Sequence, residues 1–198
     1  MVCLEYKNIH YKLSKNALIM FVGINPHPGS YMRGVPFSNN KMFWYLLSRA
    51  GLIDEPVELL KDDKELSKMY ESRFAQVYRL NFINLVDRPT VDVSKLKKGE
   101  EVHGIERMLS AAKRYRPRLV CFVGKVTYET FRKGANATYG YKGDLFGSKV
   151  YLCHFPIRGP ASVRIKELRK VIRIAKAFDT IQNKKGTNTQ SSAFQLTV

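Results

Sequence analysis

The chain has 198 residues, of which 44% are hydrophobic and 12% are aromatic. This composition suits one α/β domain with a substantial core and excludes two domains of generous size. Lysine and arginine total 34 against 17 acidic residues, and the formal charge of +17 favours a polyanionic partner, although charge alone is equally compatible with a merely basic protein.

Short apolar runs rich in Val, Ile or aromatic residues alternate along the chain with stretches of helical spacing. In chain order, we predict a strand at 17–22, helices at 41–50 and 61–76, a strand within 77–86, a helix at 103–115, a strand at 119–123, a helix at 127–133, a strand at 150–153 and a helix at 162–178. This alternation predicts a three-layer α/β/α sandwich with a short, mainly parallel central sheet. Ligands of such folds gather at the carboxyl ends of the strands, so we expect a binding site on the loops that follow the strands.

The predicted elements place residues 1–178 in a single domain. Residues 179–198 are polar and aperiodic, which predicts a flexible C-terminal tail. No apolar run approaches the roughly 20 residues that cross a bilayer, and the first residues do not resemble a signal peptide, so no membrane association is expected.

The chain has three cysteines, Cys3, Cys121 and Cys153, and they form no CxxC pair. This number excludes a disulfide framework, a zinc ribbon and a four-cysteine cluster. Cys121 and Cys153 lie in predicted strands, where a buried free thiol is the usual state. We therefore expect a reducing intracellular compartment, the nucleus in a eukaryote or the cytoplasm in a prokaryote.

The loop after the first strand, GINPHPGS at 23–30, has a density of Gly and Pro that forces a shaped loop and frees backbone N–H groups for a ligand. Asn25 is the polar side chain nearest the strand end. The alternative is an Asn that only hydrogen-bonds its own turn. Phe37 follows on the next loop, where an aromatic ring suits base stacking, although core packing is the more common role of a single Phe.

Several short motifs occur in a fixed order between residues 23 and 129. These are GINP at 23–26, PF at 36–37, FW at 43–44, LVDRPT at 85–90 and VGK at 123–125, followed by Tyr128-Glu129. In this combination the chain resembles the mismatch-specific uracil/thymine-DNA glycosylases of the uracil-DNA glycosylase superfamily. The resemblance implies that Asn25 orients the attacking water and that Phe37 stacks on the flipped base. It also implies base contacts from groups around Ile24 and His27, while a shorter stretch at 38–42 leaves open whether Asn39 or Asn40 contacts the base.

The loop after the last strand, at 154–164, departs from the shorter NPSGLS-like stretch of that family. Its His154 is similar to the first residue of the HPSP-type loop of other uracil-DNA glycosylases, which implies a donor to the pyrimidine oxygen; an ordinary capping His is the alternative. The residues expected to wedge into the base stack are Arg158, Gly159, Pro160 and Ala161. Ser162 and Arg164, at the start of the last helix, suit phosphate contacts.

The resemblance implies a monofunctional DNA glycosylase of base excision repair, which flips a base out of double-stranded DNA and hydrolyses its N-glycosidic bond to leave an abasic site. Uracil opposite guanine is the expected substrate. Thymine and modified pyrimidines are further candidates, because His27 stands where other uracil-DNA glycosylases carry a Tyr that excludes the thymine methyl group. A monomer without cofactor or metal is expected. The alternatives are a non-catalytic DNA-binding relative and a nucleoside or nucleotide hydrolase.

The sequence DRP at 87–89 has a second interpretation, as a catalytic Asp with an Arg partner. A structural turn stabilised by an ion pair between Asp87 and Arg88 is the favoured interpretation, because an Asp beside an Arg is commonly just paired.

Overall fold

The computed structural model describes residues 9–134 and 137–193. Its strands are β1 (Ile19–Gly23), β2 (Leu80–Asn84), β3 (Leu119–Val123), β4 (Gly140–Leu145) and β5 (Ser148–Cys153). Its α-helices are α1 (Pro28–Arg33), α2 (Met42–Ala50), α3 (Val57–Leu60), α4 (Asp63–Met69), α5 (Glu101–Tyr115), α6 (Lys125–Phe131) and α7 (Ala161–Ala193). Within these ranges, no helix is both long and apolar enough to span a bilayer.

The strands form one sheet in the order β2-β1-β3-β5-β4. The first four strands of this order are parallel and β4 is antiparallel to β5. One core packs α2, α4 and α7 against one face of the sheet, and a second core packs α5 against the other. The predicted α/β/α sandwich with a mainly parallel sheet is therefore confirmed. Because β1, β2, β3 and β5 are parallel, their carboxyl ends share one edge, and the loops that follow them meet there.

The strands form where the sequence supplies uninterrupted apolar runs, and every residue of β1, β2 and β3 is buried. Such runs are typical of parallel strands covered on both faces. Cys121 and Cys153 are free and buried as predicted, and burial raises the pKa of the Cys121 thiol. Cys3 lies outside the described residues.

Some elements differ from the predictions. The sequence did not indicate β4, because its residues GYKGDL carry two glycines and two charges; its pairing with β5 forms the strand. The helix predicted at 61–76 begins at the Asp62 cap and changes after Met69 into a π-helical turn that ends at Phe74. The loop predicted at 23–30 gives way at Pro28 to α1, which is capped by the side chain of His27.

The last helix was predicted to end at Phe178, and in the structure it continues to Ala193. Asp179 accepts hydrogen bonds from Arg79 at 2.8 and 2.9 Å and from Arg118 at 2.6 Å. These arginines precede β2 and β3 directly, so the contacts attach α7 to the amino edge of the sheet. Residues 179–183, predicted as tail, therefore belong to a helix that tertiary contacts stabilise, and residues 194–198 lie outside the described residues.

Candidate active site

A cleft of about 520 Å³ opens at the carboxyl edge of the sheet. Its walls come from the loops after β1, β2, β3 and β5 and from the segment that precedes α2. Among the residues that line it are Ile24, Asn25, His27, Phe37, Asn39, Asn40, Asn84, Thr90, Asp92, Lys125, Tyr139, Phe155, Ile157 and Arg158. The cleft thus collects all the sequence-predicted residues of the first two loops.

Backbone hydrogen bonds join the loop after β1 to the loop after β2. The carbonyl of Gly23 accepts from Leu85 N at 2.9 Å, that of Ile24 accepts from Val86 N at 2.8 Å, and that of Pro26 accepts from Thr90 N at 3.1 Å. Behind the second loop, Gly104 of α5 lies against the Leu85 backbone with no space for a Cβ. The GINP and LVDRPT motifs therefore form one rigid floor, in which the carbonyl of Ile24 is already engaged.

The amide of Asn25 has a fixed orientation in this floor. Its Nδ2 donates to Thr90 Oγ1 at 2.8 Å and lies 3.2 Å from the carbonyl of Pro26. The Thr90 hydroxyl donates its own hydrogen to the Asp92 carbonyl at 2.8 Å, so towards Asn25 it can only accept. The NH₂ group must therefore face Thr90, and Oδ1 is left as an acceptor with no donor partner in the described part of the chain. Asn25 bonds its own turn, as the alternative interpretation expected, and also the neighbouring loop.

Phe37 belongs to an aromatic wall on one side of the cleft. Its ring stacks on Phe43 with centroids 4.7 Å apart, and it meets Phe82 and Phe155 edge to face at 5.4 and 6.2 Å. Its φ of +54° is unusual for a bulky residue and sets the direction in which the ring leaves the backbone. Such backbone strain is commonly found at binding sites, where the surrounding packing holds it.

Asn84 is a cleft residue that the sequence analysis did not select. It ends β2 beside Gly23, its register partner at the end of β1, and it is 2% exposed. A buried amide at the bottom of a ligand cleft presents both a donor and an acceptor, as the Watson–Crick edge of a pyrimidine requires. The available signal was a polar residue at the last position of an otherwise apolar strand, LNFIN, next to the strand that carries the first motif.

The comparison with known families agrees with this architecture. A model of the uracil DNA glycosylase superfamily matches residues 10–178. The chain belongs to this superfamily. Membership supports DNA glycosylase activity, a hydrolase function in DNA repair with DNA as the partner.

In this uracil DNA glycosylase superfamily member, the other predicted base-binding residues, His27, Asn39 and Asn40, have structural contacts of their own. His27 Nδ1 accepts from Gly29 N at 3.1 Å and caps α1, so a neutral His27 carries its proton on Nε2. Asn40 Oδ1 accepts from Met42 N at 3.0 Å at the start of α2. Asn39 is exposed on the cleft rim, and its backbone N donates to Ser30 Oγ at 3.0 Å. Of the two asparagines, Asn40 therefore uses its side chain in a hydrogen bond of the fold, whereas the hydrogen bond of Asn39 uses its backbone.

His154 does not line the cleft of this superfamily member. Its Nδ1 lies 3.0 Å from both carboxylate oxygens of Glu167, and its backbone N donates to the same carboxylate at 3.0 Å. The ring stacks on Tyr139, with centroids 3.4 Å apart, and Tyr139 is the residue that reaches the cleft. Because a carboxylate can only accept, the Nδ1 of His154 carries a hydrogen and donates it to Glu167. A neutral His154 therefore has a lone pair, and no hydrogen, at Nε2.

The loop after β5 divides into a part that faces the cleft and a part that packs inward. Arg158 lines the cleft together with Ile157, a residue that the sequence analysis did not select and that is 53% exposed. Gly159, Pro160 and Ser162 are exposed but do not line it, and Ala161 packs against the core.

The predicted phosphate contact of Arg164 is not supported by its position. The residue is 8% exposed, and its guanidinium donates to the Arg158 carbonyl. It therefore stabilises the loop from inside, because the first turn of α7 directs this side chain towards the core.

The carboxylates near the site have structural partners. Asp92, the acid that lines the cleft, accepts from Ser94 N at 2.7 Å, and this backbone hydrogen bond lowers its pKa. Asp87 pairs with Arg107 and accepts from Tyr11 Oη at 2.5 Å. Asp87 thus forms an ion pair, as the favoured interpretation predicts, but with Arg107 and not with Arg88. Arg88 points to Glu100 and holds the pKa of that carboxyl at about 2.

Proposed function

We propose that this protein is a monofunctional DNA glycosylase of base excision repair that removes uracil from double-stranded DNA. The observation that carries the proposal is the fixed orientation of Asn25 in the cleft, where a hydrogen-bonded Nδ2 leaves Oδ1 as a free acceptor. An amide oxygen can hold a water by one of its hydrogens, so that the lone pair of the water faces the sugar C1′.

The reaction breaks the bond between C1′ and the pyrimidine nitrogen, and the bonding electron pair leaves with the base. The water oxygen forms the new bond to C1′, and its proton is lost to solvent. Because an amide is a poor base, Asn25 positions the water and does not activate it by deprotonation. Most of the rate enhancement then comes from groups that stabilise the negative charge of the leaving base.

The groups available for this stabilisation line the same cleft. The buried amide of Asn84 supplies a donor and an acceptor for the pyrimidine edge, and Phe37 supplies a stacking surface for the flipped base. The ammonium group of Lys125 lies 5.1 Å from the centroid of Tyr139, so a cation stands at the cleft wall. The donor of Asn84 and the cation of Lys125 interact more strongly as the leaving base becomes negative, which is the requirement for catalysis.

We further propose that Ile157 and Arg158 fill the gap left by the flipped nucleotide. They are the exposed residues of the loop after β5 that line the cleft, and Ile157 is an aliphatic side chain. An apolar wedge can enter a base stack at a cost of a few kcal/mol. With His27 in place of a Tyr barrier, the cleft also accepts thymine or a modified pyrimidine, with guanine as the preferred opposite base.

The test uses labelled duplexes that carry U·G, U·A, T·G or C·G, incubated with a monomeric fraction of the protein and then treated with alkali. Uracil-dependent scission that falls about tenfold or more in Asn25→Ala supports the proposal. Lys113→Ala, exposed on α5 at the other face of the sheet, is the matched control and should keep full activity. Absence of scission from every duplex, with DNA binding intact, would leave a non-catalytic DNA-binding protein. Release of uracil from free nucleosides would indicate a nucleoside hydrolase.

A further inference from the structure

Helix α7 carries a continuous basic surface on its solvent side. The exposed cations are spaced three and four residues apart, so they lie on one face of the helix. The surface, called the flank surface below, consists of Lys166, Arg169, Lys170, Arg173 and Lys176, with the exposed Arg49 of α2 beside it. The opposite face of the helix, with Leu168, Val171 and Ala175, is buried in the core.

The flank surface has no charge compensation within the described residues. None of its six cations has a carboxylate within the 4.0 Å of an ion pair. The acidic residues of the same helix face elsewhere, since Glu167 binds His154 and Asp179 binds Arg79 and Arg118. Arg169 donates to the Arg49 carbonyl at 3.0 Å, and this hydrogen bond holds Arg49 beside the α7 cations of the flank surface.

The direction of α7 separates this surface from the cleft. The helix begins at Ala161, directly after the loop residues that line the cleft, and Asp179 reaches the arginines before β2 and β3. It therefore runs from the carboxyl edge of the sheet to the amino edge, a distance of about 27 Å at 1.5 Å per residue. The flank surface, from Lys166 to Lys176, covers about 15 Å of this length, down the side of the molecule.

A duplex that presents a base to the cleft lies across the carboxyl edge and cannot also follow α7 down the side. We infer that the flank surface binds the phosphate backbone of a second DNA segment while the first occupies the cleft. Fifteen ångströms of duplex carry about nine phosphate charges, which is sufficient for six cations. A membrane is a poorer occupant, because the apolar face of α7 is already buried in the core.

The inference rests on the proposed function only for the DNA in the cleft. Its consequence concerns how the protein leaves DNA and does not involve base excision. A protein with two DNA sites can pass from one duplex to another without a free intermediate. Dissociation from a labelled duplex should therefore accelerate as unlabelled competitor duplex is added.

The first experiment is a bridging assay with two undamaged duplexes of about two helical turns, one labelled and the other fixed on beads. Wild-type protein should retain the labelled duplex on the beads. The variant Lys166→Gln/Lys170→Gln/Lys176→Gln loses three phosphate contacts and should retain at most about a fifth as much. For the second binding step, the slope of log K against log salt concentration should also become shallower by about 2.7. The control Lys113→Gln/Arg114→Gln/Arg116→Gln loses the same charge at the end of α5, on the other side of the sheet, and should bridge like wild type.

Absence of bridging by wild type, or equal loss in both triple variants, would overturn the inference. Bridging that persists unchanged in the flank variant would also overturn the inference, because the bridging would then come from paired copies that each bind DNA in the cleft. Glycosylase activity under single-turnover conditions is measured separately for all three proteins and should be equal. If activity is absent from wild type while bridging depends on the flank surface, the proposed function fails and the second site stands.

Discussion

Gly23 and Asn84 face each other at the ends of β1 and β2, and a Cβ on Gly23 would come within 3.0 Å of Asn84 Oδ1, closer than real Cβ atoms come. The absence of a side chain at 23 is what allows the buried amide to lie at the bottom of the cleft. The glycine of the GINP motif, the last residue of β1, therefore has a steric function.

We predict that Gly23→Ala displaces the Asn84 side chain and lowers the single-turnover rate on a U·G duplex by about tenfold, with a stability loss of about 1–3 kcal/mol. Urea unfolding measures the stability and a quenched time course the rate. In the double variant with Asn84→Ala the clash with Oδ1 is absent, so the two effects on the rate should not add. Additive losses would show that Gly23 acts independently of Asn84.

Thr90→Val should reduce base excision by about tenfold while leaving duplex affinity unchanged. The valine keeps the shape of the threonine but offers no lone pair to Nδ2, so the Asn25 amide loses its fixed orientation. The rate constant at saturating enzyme and the Kd for an undamaged duplex are measured for each variant. Thr90→Ser keeps the hydroxyl and should retain most of the rate. If Thr90→Val further slows a protein that already carries Asn25→Ala, the hydroxyl has a role other than holding Asn25.

Glu167→Gln should change the protonation pattern of the His154 ring. In wild type both carboxylate oxygens lie 3.0 Å from Nδ1, so that nitrogen carries a proton. Nitrogen-15 NMR of the imidazole reports which ring nitrogen is protonated, and the variant should show loss of the exclusive Nδ1–H form. Base excision is expected to fall only if His154 contacts the base. An unchanged tautomer in the variant would mean that Tyr139 stacking alone orients the ring.

Acid should weaken the attachment of α7 to the sheet. Hydrogen bonds from Arg79, and then from Arg118, lower the pKa of Asp179 from 3.8 to about 2. A carboxyl whose folded-state pKa is depressed stabilises the fold fully above its unfolded pKa, and this stability is lost as the pH falls from about 4 to 2. The contribution is about 2 kcal/mol, and Asp179→Asn should remove it at pH 7 and flatten the stability profile in that window. A variant profile parallel to wild type would contradict the assignment.

Much of the fold follows from local patterns. The apolar runs of β1, β2, β3 and β5 are visible in the sequence because strands buried on both faces need continuous hydrophobic side chains. By contrast, β4 has no such run, since one edge and much of its surface are exposed, and only pairing with β5 defines it. The extension of α7 was missed for a similar reason, because Asp179 and its arginine partners lie 61 and 100 residues apart in the chain.

The sequence by itself determined the loop that follows β1, with its Asn25, and the aromatic residue Phe37, because the shape of a Gly- and Pro-rich loop depends on residues a few positions away. Only the tertiary structure decided which way the Asn25 amide faces, that Asn84 enters the cleft, and that Tyr139 and Glu167 hold His154. Each of these outcomes depends on contacts between distant parts of the chain, and these contacts are fixed by the register of the parallel strands and by the packing of α7. Those features are properties of the assembled sheet, which no local stretch of residues specifies.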